Sequence, residues 1–317
     1  MDERSLFRKI VKILRGGGSF GYSAKQIAKK LDVNVSKVHI GRICGSHPWI
    51  EKAENTGRAK WRLKEEHRKE LPINQIVEGD CLEVTNQWPK NSIDLVVTSP
   101  PYNVGKEYEE GVTKKEYKKL LSEFCKGLED ILKADGRFCI NIPQTMGSHK
   151  VVFSPLYFLL DEIEKSELKL RDIVTWNQMN SDNDTAWGSF ASASAPWLRH
   201  QAECIVVGYN EQFKKREKGQ STISNKDFSV WTIDVWDMPT AQHPEHPAVF
   251  PKELPRRCIQ LFSYKSDIVL DPFCGTGTTC IVAKELGRDY IGIDKDPKYC
   301  EIARDELKQE TVEAFIK

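Results

Sequence analysis

Residues 268–294 compress a strand, a glycine turn, a helix and a second strand into one stretch, and no other part of the 317-residue chain restricts its fold as tightly. The apolar run Ile268-Val269-Leu270 ends in Asp271, passes Pro272-Phe273-Cys274 and the turn Gly275-Thr276-Gly277, and enters a helical pattern over 278–286. Glycines at such a turn let the backbone approach a ligand closely at a helix N-terminus. A second apolar strand, Tyr290-Ile291-Gly292-Ile293, ends in Asp294, seventeen residues beyond Gly277. That is near the roughly 20-residue spacing at which a carboxylate meets a ribose hydroxyl pair. Strands are expected at 73–78, 93–98, 136–142, 172–176, 202–208, 267–271 and 290–294, and helices at 114–132, 155–165, 252–263, 278–286 and 296–308. This alternation predicts an α/β fold with a mostly parallel sheet.

The strand 93–98 stops at Ser99-Pro100-Pro101-Tyr102. Two consecutive prolines lack N–H groups and end the pairing, which stiffens the chain at a sheet edge. Carbonyl oxygens, one hydroxyl and one aromatic ring then face a cleft. Such a site accepts hydrogen bonds from an amino group and stacks on a flat ring. The Gly-x-Gly turn alone is a common strand-to-helix connection, and Thr279 and Cys280 follow where a dinucleotide fingerprint would soon carry a third glycine.

Together the two motifs resemble those of the DNA amino-methyltransferases, which methylate the exocyclic nitrogen of cytosine or adenine. The likeness covers residues 73 to about 308, and the order, catalytic motif before cofactor motif, resembles the β-class. It implies a circularly permuted S-adenosylmethionine-dependent methyltransferase fold, a seven-stranded, mostly parallel sheet with helices on both faces. It also implies S-adenosyl-L-methionine as cofactor, bound by Thr98, Asp271, Phe273, Cys274, Gly275, Thr276, Gly277 and Thr278, with the backbone around Phe273–Gly277 cradling its methionine part. By the same resemblance Asp294 holds the ribose, and Asp80 of Gly79-Asp80 meets the adenine amino group. His246 and Phe250, in His246-Pro247-Ala248-Val249-Phe250-Pro251, match the segment that closes over the methionine end. Ser99, Pro100, Pro101 and Tyr102 become the catalytic residues.

Serine at the first motif position is typical of the cytosine-N4 enzymes, whereas adenine-N6 enzymes usually carry Asp or Asn. The resemblance therefore implies cytosine-N4 methylation, with adenine-N6 as the alternative. The chain lacks the Pro-Cys dipeptide that cytosine-C5 enzymes use for their nucleophile. An RNA or protein methyltransferase is disfavoured by the motif order and by a long polar insertion at 178–245. A non-catalytic regulator is disfavoured by intact motifs.

Composition adds a partner. The net charge of +1 hides a division: residues 1–70 carry 17 Lys+Arg against 8 Asp+Glu, and the remainder 30 against 38. A basic module on an acidic body points to a polyanion. Leu6, Ile10, Ile13 and Leu14 sit at helical spacing, Gly16-Gly17-Gly18 stops that helix, and helices over 23–31 and 35–43 follow. Strand-like pieces at 49–52 and 59–63 flank a turn at 55–58. This pattern resembles a winged helix, a fold that also serves protein contacts. The expected organisation is a winged-helix-like DNA-binding domain at 1–66, with Lys37 and Arg42 on DNA, and a methyltransferase domain at 67–317. Within it the insertion at about 178–245, including Lys214, Lys215 and Arg216, is expected to recognise the target. Double-stranded DNA is the expected partner of a monomer or homodimer, with a restriction endonuclease as a functional rather than physical companion.

No run of about 18 apolar residues is present to span a bilayer, and Met1-Asp2-Glu3-Arg4 lacks the apolar core of a secretory signal. Nine cysteines without a Cys-x-x-Cys pair suit reduced thiols in a cytoplasmic protein. No metal site is expected, because Pro244 and Pro247 disfavour a helix aligning His243 with His246.

Overall fold

The computed structural model describes residues 6, 9–10, 13–14, 22–31, 37–46, 50–52, 60–63, 70–101, 114–148, 151–179, 188–196, 198, 200–241 and 249–316. Tyr102 and His246 lie outside these residues, as does the side chain of Lys37. The chain divides into two compact units, residues 1–71 with 87–90, and residues 72–86 with 91–317.

In the first unit, strand β1 (Tyr22–Ser23), helices α1 (Ala24–Lys30) and α2 (Lys37–Ser46), and strands β2 (Ile50–Lys52) and β3 (Lys60–Leu63) follow in order. The strands form an antiparallel sheet, β1-β3-β2, with Ile50 opposite Leu63 and Tyr22 opposite Trp61. Leu6, Ile10 and Leu14 recur every four residues and are buried with Ile27, Ile40 and Ile43, while Lys9 is exposed. That is the burial an amphipathic helix dictates.

The second unit contains β4 (Gln75–Glu78), α3 (Cys81–Thr85), β5 (Ile93–Thr98), α4 (Lys114–Ile131), β6 (Leu132–Pro143), β7 (Met146–Ser148) and β8 (Val151–Phe153). It continues with α5 (Pro155–Lys165), β9 (Lys169–Asn177), β10 (Ala202–Tyr209), α6 (Asn225–Trp231), β11 (Val235–Asp237) and α7 (Glu253–Phe262). The last elements are β12 (Ile268–Asp271), α8 (Thr278–Glu285), β13 (Asp289–Asp294) and α9 (Pro297–Ile316). The main sheet has eight strands in the order β11-β9-β10-β6-β5-β12-β13-β4. Only β10 runs against its neighbours; every other pairing in the sheet is parallel. All seven expected strands are present. The eighth, β11, is three residues long and exists by pairing with β9. Every residue of β5 and β12 is buried, as continuous apolar strands require when helices cover both faces.

Because the other strands share one direction, the sheet has a carboxyl end and an amino end, and the two are chemically distinct. At the amino end, wholly buried Asp94 accepts from Lys133 Nζ at 2.7 Å and from the Ile268 N–H at 2.9 Å. Lys215 Nζ lies 3.8 Å from Asp94 and 3.5 Å from buried Asp267, with its side chain only 4% exposed. Arg216 donates its backbone N–H to Asp135 at 2.6 Å and pairs with Glu211 at 3.1 Å. Arg288, drawn down to about 10 by burial, donates to Ser263 and Thr222. These bonds strap residues 211–222 across the strand starts.

Lys214 and Arg216 are exposed, whereas the Lys215 side chain is buried. They follow β10 at the end of the sheet opposite Ser99, and Lys215 is a structural cation between two buried carboxylates. The insertion is likewise divided: residues 178–201 join β9 to β10 at the carboxyl end, whereas 210–234 lie at the amino end. Lys215→Ala removes a countercharge shared by two buried acids that keep their other donors, so urea denaturation should show a loss of about 1–3 kcal/mol, while the affinity for a DNA duplex stays at the wild-type value.

Candidate active site

The two motifs lie on adjacent parallel strands. Val269 is opposite Leu95 and Leu270 opposite Val96, so Asp271 and Thr98 emerge side by side. The Thr98 hydroxyl donates to Asp271 Oδ1 at 2.6 Å, joining residues 173 positions apart in a buried contact. Asp271 also accepts from the Phe273 N–H at 3.2 Å and from the Thr279 hydroxyl. Burial pushes its carboxyl up to about 6, with repulsion from Asp294 adding to this, against the lowering effect of those donors. Asp271 thus braces the loop that follows it.

Above Asp271, Gly275 and Gly277 adopt φ of 50° and 86°, which side chains rarely tolerate. Gly277 is the N-cap of α8, and a Cβ there would stand 2.9 Å from that of Ala303. Asp294, at the end of β13, accepts from the Gly275 N–H at 2.8 Å and the Asp296 N–H at 2.9 Å. Its backbone carbonyl receives the Gly79 N–H, which brings Asp80 next to it. Asp80 caps α3 through the Leu82 N–H at 2.8 Å and pairs with Lys295 at 2.6 Å. Against the raising effect of burial, Lys295 and Leu82 hold Asp80 below the usual carboxylate range. Cys274, Thr276 and Thr279 are buried, Thr278 and Phe273 half-buried, and the Phe273 ring meets Phe124 of α4 edge-on at 5.5 Å. Phe250 packs on the core cluster that contains Cys274 and Cys280. Burial drives the thiols of Cys274 and Cys280 well above their ordinary range, so they are neutral packing groups.

Pro100 is buried and Pro101 half-buried. Ser99 is half-buried and donates its hydroxyl to the Asn141 carbonyl on β6 at 3.3 Å. Asn141 Nδ2 donates to Glu203 Oε2 at 2.5 Å, and Gln178 Nε2 to Glu203 Oε1 at 3.0 Å. Sequence reasoning missed Lys295 and this Asn141–Glu203–Gln178 group. Its one visible signal is a polar residue near the end of each otherwise apolar strand, Cys139-Ile140-Asn141-Ile142 and Ala202-Glu203-Cys204-Ile205. A cavity of about 590 Å³ lies elsewhere, near Arg137, Lys215, Phe213 and Phe262 at the amino end.

This arrangement, a glycine loop one strand from Ser-Pro-Pro with carboxylates at the ends of the next two strands, is that of a methyltransferase on the S-adenosylmethionine-dependent fold. The profile of the N6/N4 DNA methylase family matches residues 93–305, and the chain belongs to that family. It is 38% identical over 169 residues to the Type II methyltransferase M.MjaVI of Methanocaldococcus jannaschii, across 52% of this chain and 84% of that protein. Among solved structures, TTHA0409 of Thermus thermophilus with S-adenosyl-L-methionine bound matches at a TM-score of 0.60 and 26% identity. That match covers 74% of this chain and 95% of the other. The cytosine-N4-specific PvuII DNA methyltransferase, 22% identical, shares the fold at a TM-score of 0.58 over 74% of this chain and 90% of its own. S-adenosyl-L-methionine is the cofactor, and the donor set fits it: carboxylates for hydroxyl and amino groups, and a glycine turn open to close approach.

The raised value of Asp271 sets a pH dependence. The native chain binds more protons than the unfolded one between about pH 4 and 6, so this contribution to stability is present in acid and lost as pH rises through 6. Asp271→Asn should remove that component, about 3 kcal/mol, so calorimetric stability between pH 4 and 7 falls less steeply than in the wild type.

Proposed function

We propose that this chain is a site-specific DNA methyltransferase that modifies the N4 amino group of a cytosine flipped out of double-stranded DNA. The observation that carries this reading is the placement of the Ser99 hydroxyl and the Pro100 carbonyl at the end of β5, beside the cofactor loop. The second reading is adenine-N6, which the family profile also includes.

S-adenosylmethionine supplies an electrophilic methyl group when bound. Phe273 to Thr278 hold its methionine part, Asp294 the ribose, Asp80 the adenine amino group, and His246 with Phe250 cover the methionine end. Thr98 and Asp271 support the loop. The amino nitrogen of a base is a weak nucleophile because its lone pair is delocalised into the ring. Ser99 donates to the Asn141 carbonyl, so towards an amino group its oxygen acts as acceptor. Together with the Pro100 carbonyl it takes the two amino hydrogens and favours a pyramidal nitrogen with its lone pair directed at the methyl. Fixed acceptors of this kind act on charge that develops only in the transition state. Pro101 stiffens the segment, and Tyr102 stacks on the base, which must leave the duplex at a cost of a few kcal/mol. Alignment of two bound reactants supplies most of the rate gain.

Residues 1–66 are the DNA-binding module and 67–317 the catalytic domain. Lys37 and exposed Arg42 on α2 serve as phosphate or groove contacts. Target recognition belongs to segments at the carboxyl end of the sheet, the β7–β8 hairpin and residues 178–201, rather than to 210–234. A restriction endonuclease recognising the same sequence is the functional companion of such an enzyme.

Methylated-nucleoside analysis of DNA from an expressing host should show N4-methylcytosine; N6-methyladenine in its place selects the second reading. Ser99→Ala should lower single-turnover methyl transfer by about 100-fold with cofactor affinity by calorimetry unchanged. A fully active Ser99→Ala variant removes Ser99 from the mechanism.

A further inference from the structure

We propose that Glu203 is a positioning residue for methyl transfer, acting on the target amino group through Asn141 and Ser99. The inference rests on the reading of Ser99 as acceptor for that group.

A carboxylate near the start of β10 is costly unless it is paired, because the strand continues as Cys204-Ile205-Val206-Val207, all buried. The chain supplies partners from two other strands. Asn141 of β6 reaches one oxygen at 2.5 Å, and Gln178, just past β9, reaches the other at 3.0 Å. In the β10–β6 ladder Glu203 lies opposite Pro143, and Ile205 opposite Asn141. Glu203 therefore clamps the carboxyl ends of three strands at the level where Ser99 leaves β5. Hydrogen bonds to an ionised acceptor are short and roughly twice as strong as neutral ones.

The consequence lies in what the Asn141 amide is kept from doing. Its backbone carbonyl already receives the Ser99 hydroxyl. Without Glu203 the Asn141 N–H donors lose the acceptor that holds them and are released at the strand end where Ser99 lies, and the Ser99 oxygen and the Pro100 carbonyl are the acceptors the base needs. Glu203 draws that donor away and leaves a negative charge two hydrogen bonds from Ser99. As the amino nitrogen bonds to the methyl carbon, the carbon–sulfur bond of the sulfonium would break with its electron pair kept by sulfur; the nitrogen gains the positive charge, which this field favours, and would then lose one proton to solvent.

Glu203→Gln keeps the side-chain shape and removes the charge and one acceptor. Single-turnover transfer on the mapped target sequence should fall by about 10-fold or more, with the dissociation constant for S-adenosylmethionine within about twofold and the melting temperature unchanged. In a Ser99→Ala background the same substitution should cost less than it does in the wild type, since part of what Glu203 does passes through Ser99. Fluorescence of 2-aminopurine at the target position, read without cofactor, should match the wild type. Gln178→Ala, which leaves the charge in place, should give a smaller loss of about threefold. Wild-type rates in both single variants, a loss that multiplies with Ser99→Ala, or loss of the fluorescence rise overturns the role of Glu203 while wild-type methylation stands. A wild-type chain that transfers no methyl group to DNA overturns the underlying reading with it.

Discussion

The hydrogen bond from Thr98 to Asp271 is the contact on which the site depends. It lies at the level where β5 and β12 end, beneath both the Ser-Pro-Pro segment and the glycine loop. A backbone ladder aligns strands but stops where the chain turns away, as it must at two prolines. Beyond that point only side chains can hold one loop against the other. A buried carboxylate with two hydroxyl donors and one N–H is well suited, because leaving any of these groups unpaired costs about 1–3 kcal/mol. The bond also explains why an ionisable group is kept where burial opposes its charge.

The two ends of the sheet divide the work. At the amino end, Asp94 and Asp267 are satisfied by lysines and by the Ile268 N–H, which locks the starts of β5 and β12 and the strap over them. Truncating one member of such a buried set strands the others, so that end is rigid. At the carboxyl end the motif loops leave the sheet. Rigidity at one end lets loops at the other carry function without loosening the core.

Much of this was legible in the sequence for physical reasons. Ile93–Thr98 and Ile268–Asp271 are nearly all apolar, and Pro100-Pro101 and Gly275-Thr276-Gly277 admit few continuations, so strands and turns could be placed by composition alone. The helix α3 is five residues long and held by the Asp80 cap, and β11 is three residues long and held by β9; neither has a periodicity to read. Lys215 reads as part of an open basic cluster because its partners, Asp94 and Asp267, are remote in sequence. Asn141 and Glu203, 62 positions apart, meet only once β6 and β10 pair. Charge is visible in a sequence; its neutralisation by distant residues is not.

The acids at the carboxyl end share one logic. Asp271 is met by hydroxyls, Asp294 by backbone N–H groups, Asp80 by Lys295 and a backbone N–H, and Glu203 by two amides. Three of the four are held by neutral donors, so a negative field survives around a reaction whose positive charge passes from sulfur to nitrogen. The same field repels a DNA backbone, and the chain beyond residue 70 carries more acidic than basic residues. An enzyme built this way needs its cationic surface apart from its chemistry. In the proposed function the surplus of Lys and Arg in residues 1–70 supplies that surface, which would make association with DNA more salt-sensitive than the transfer step that follows.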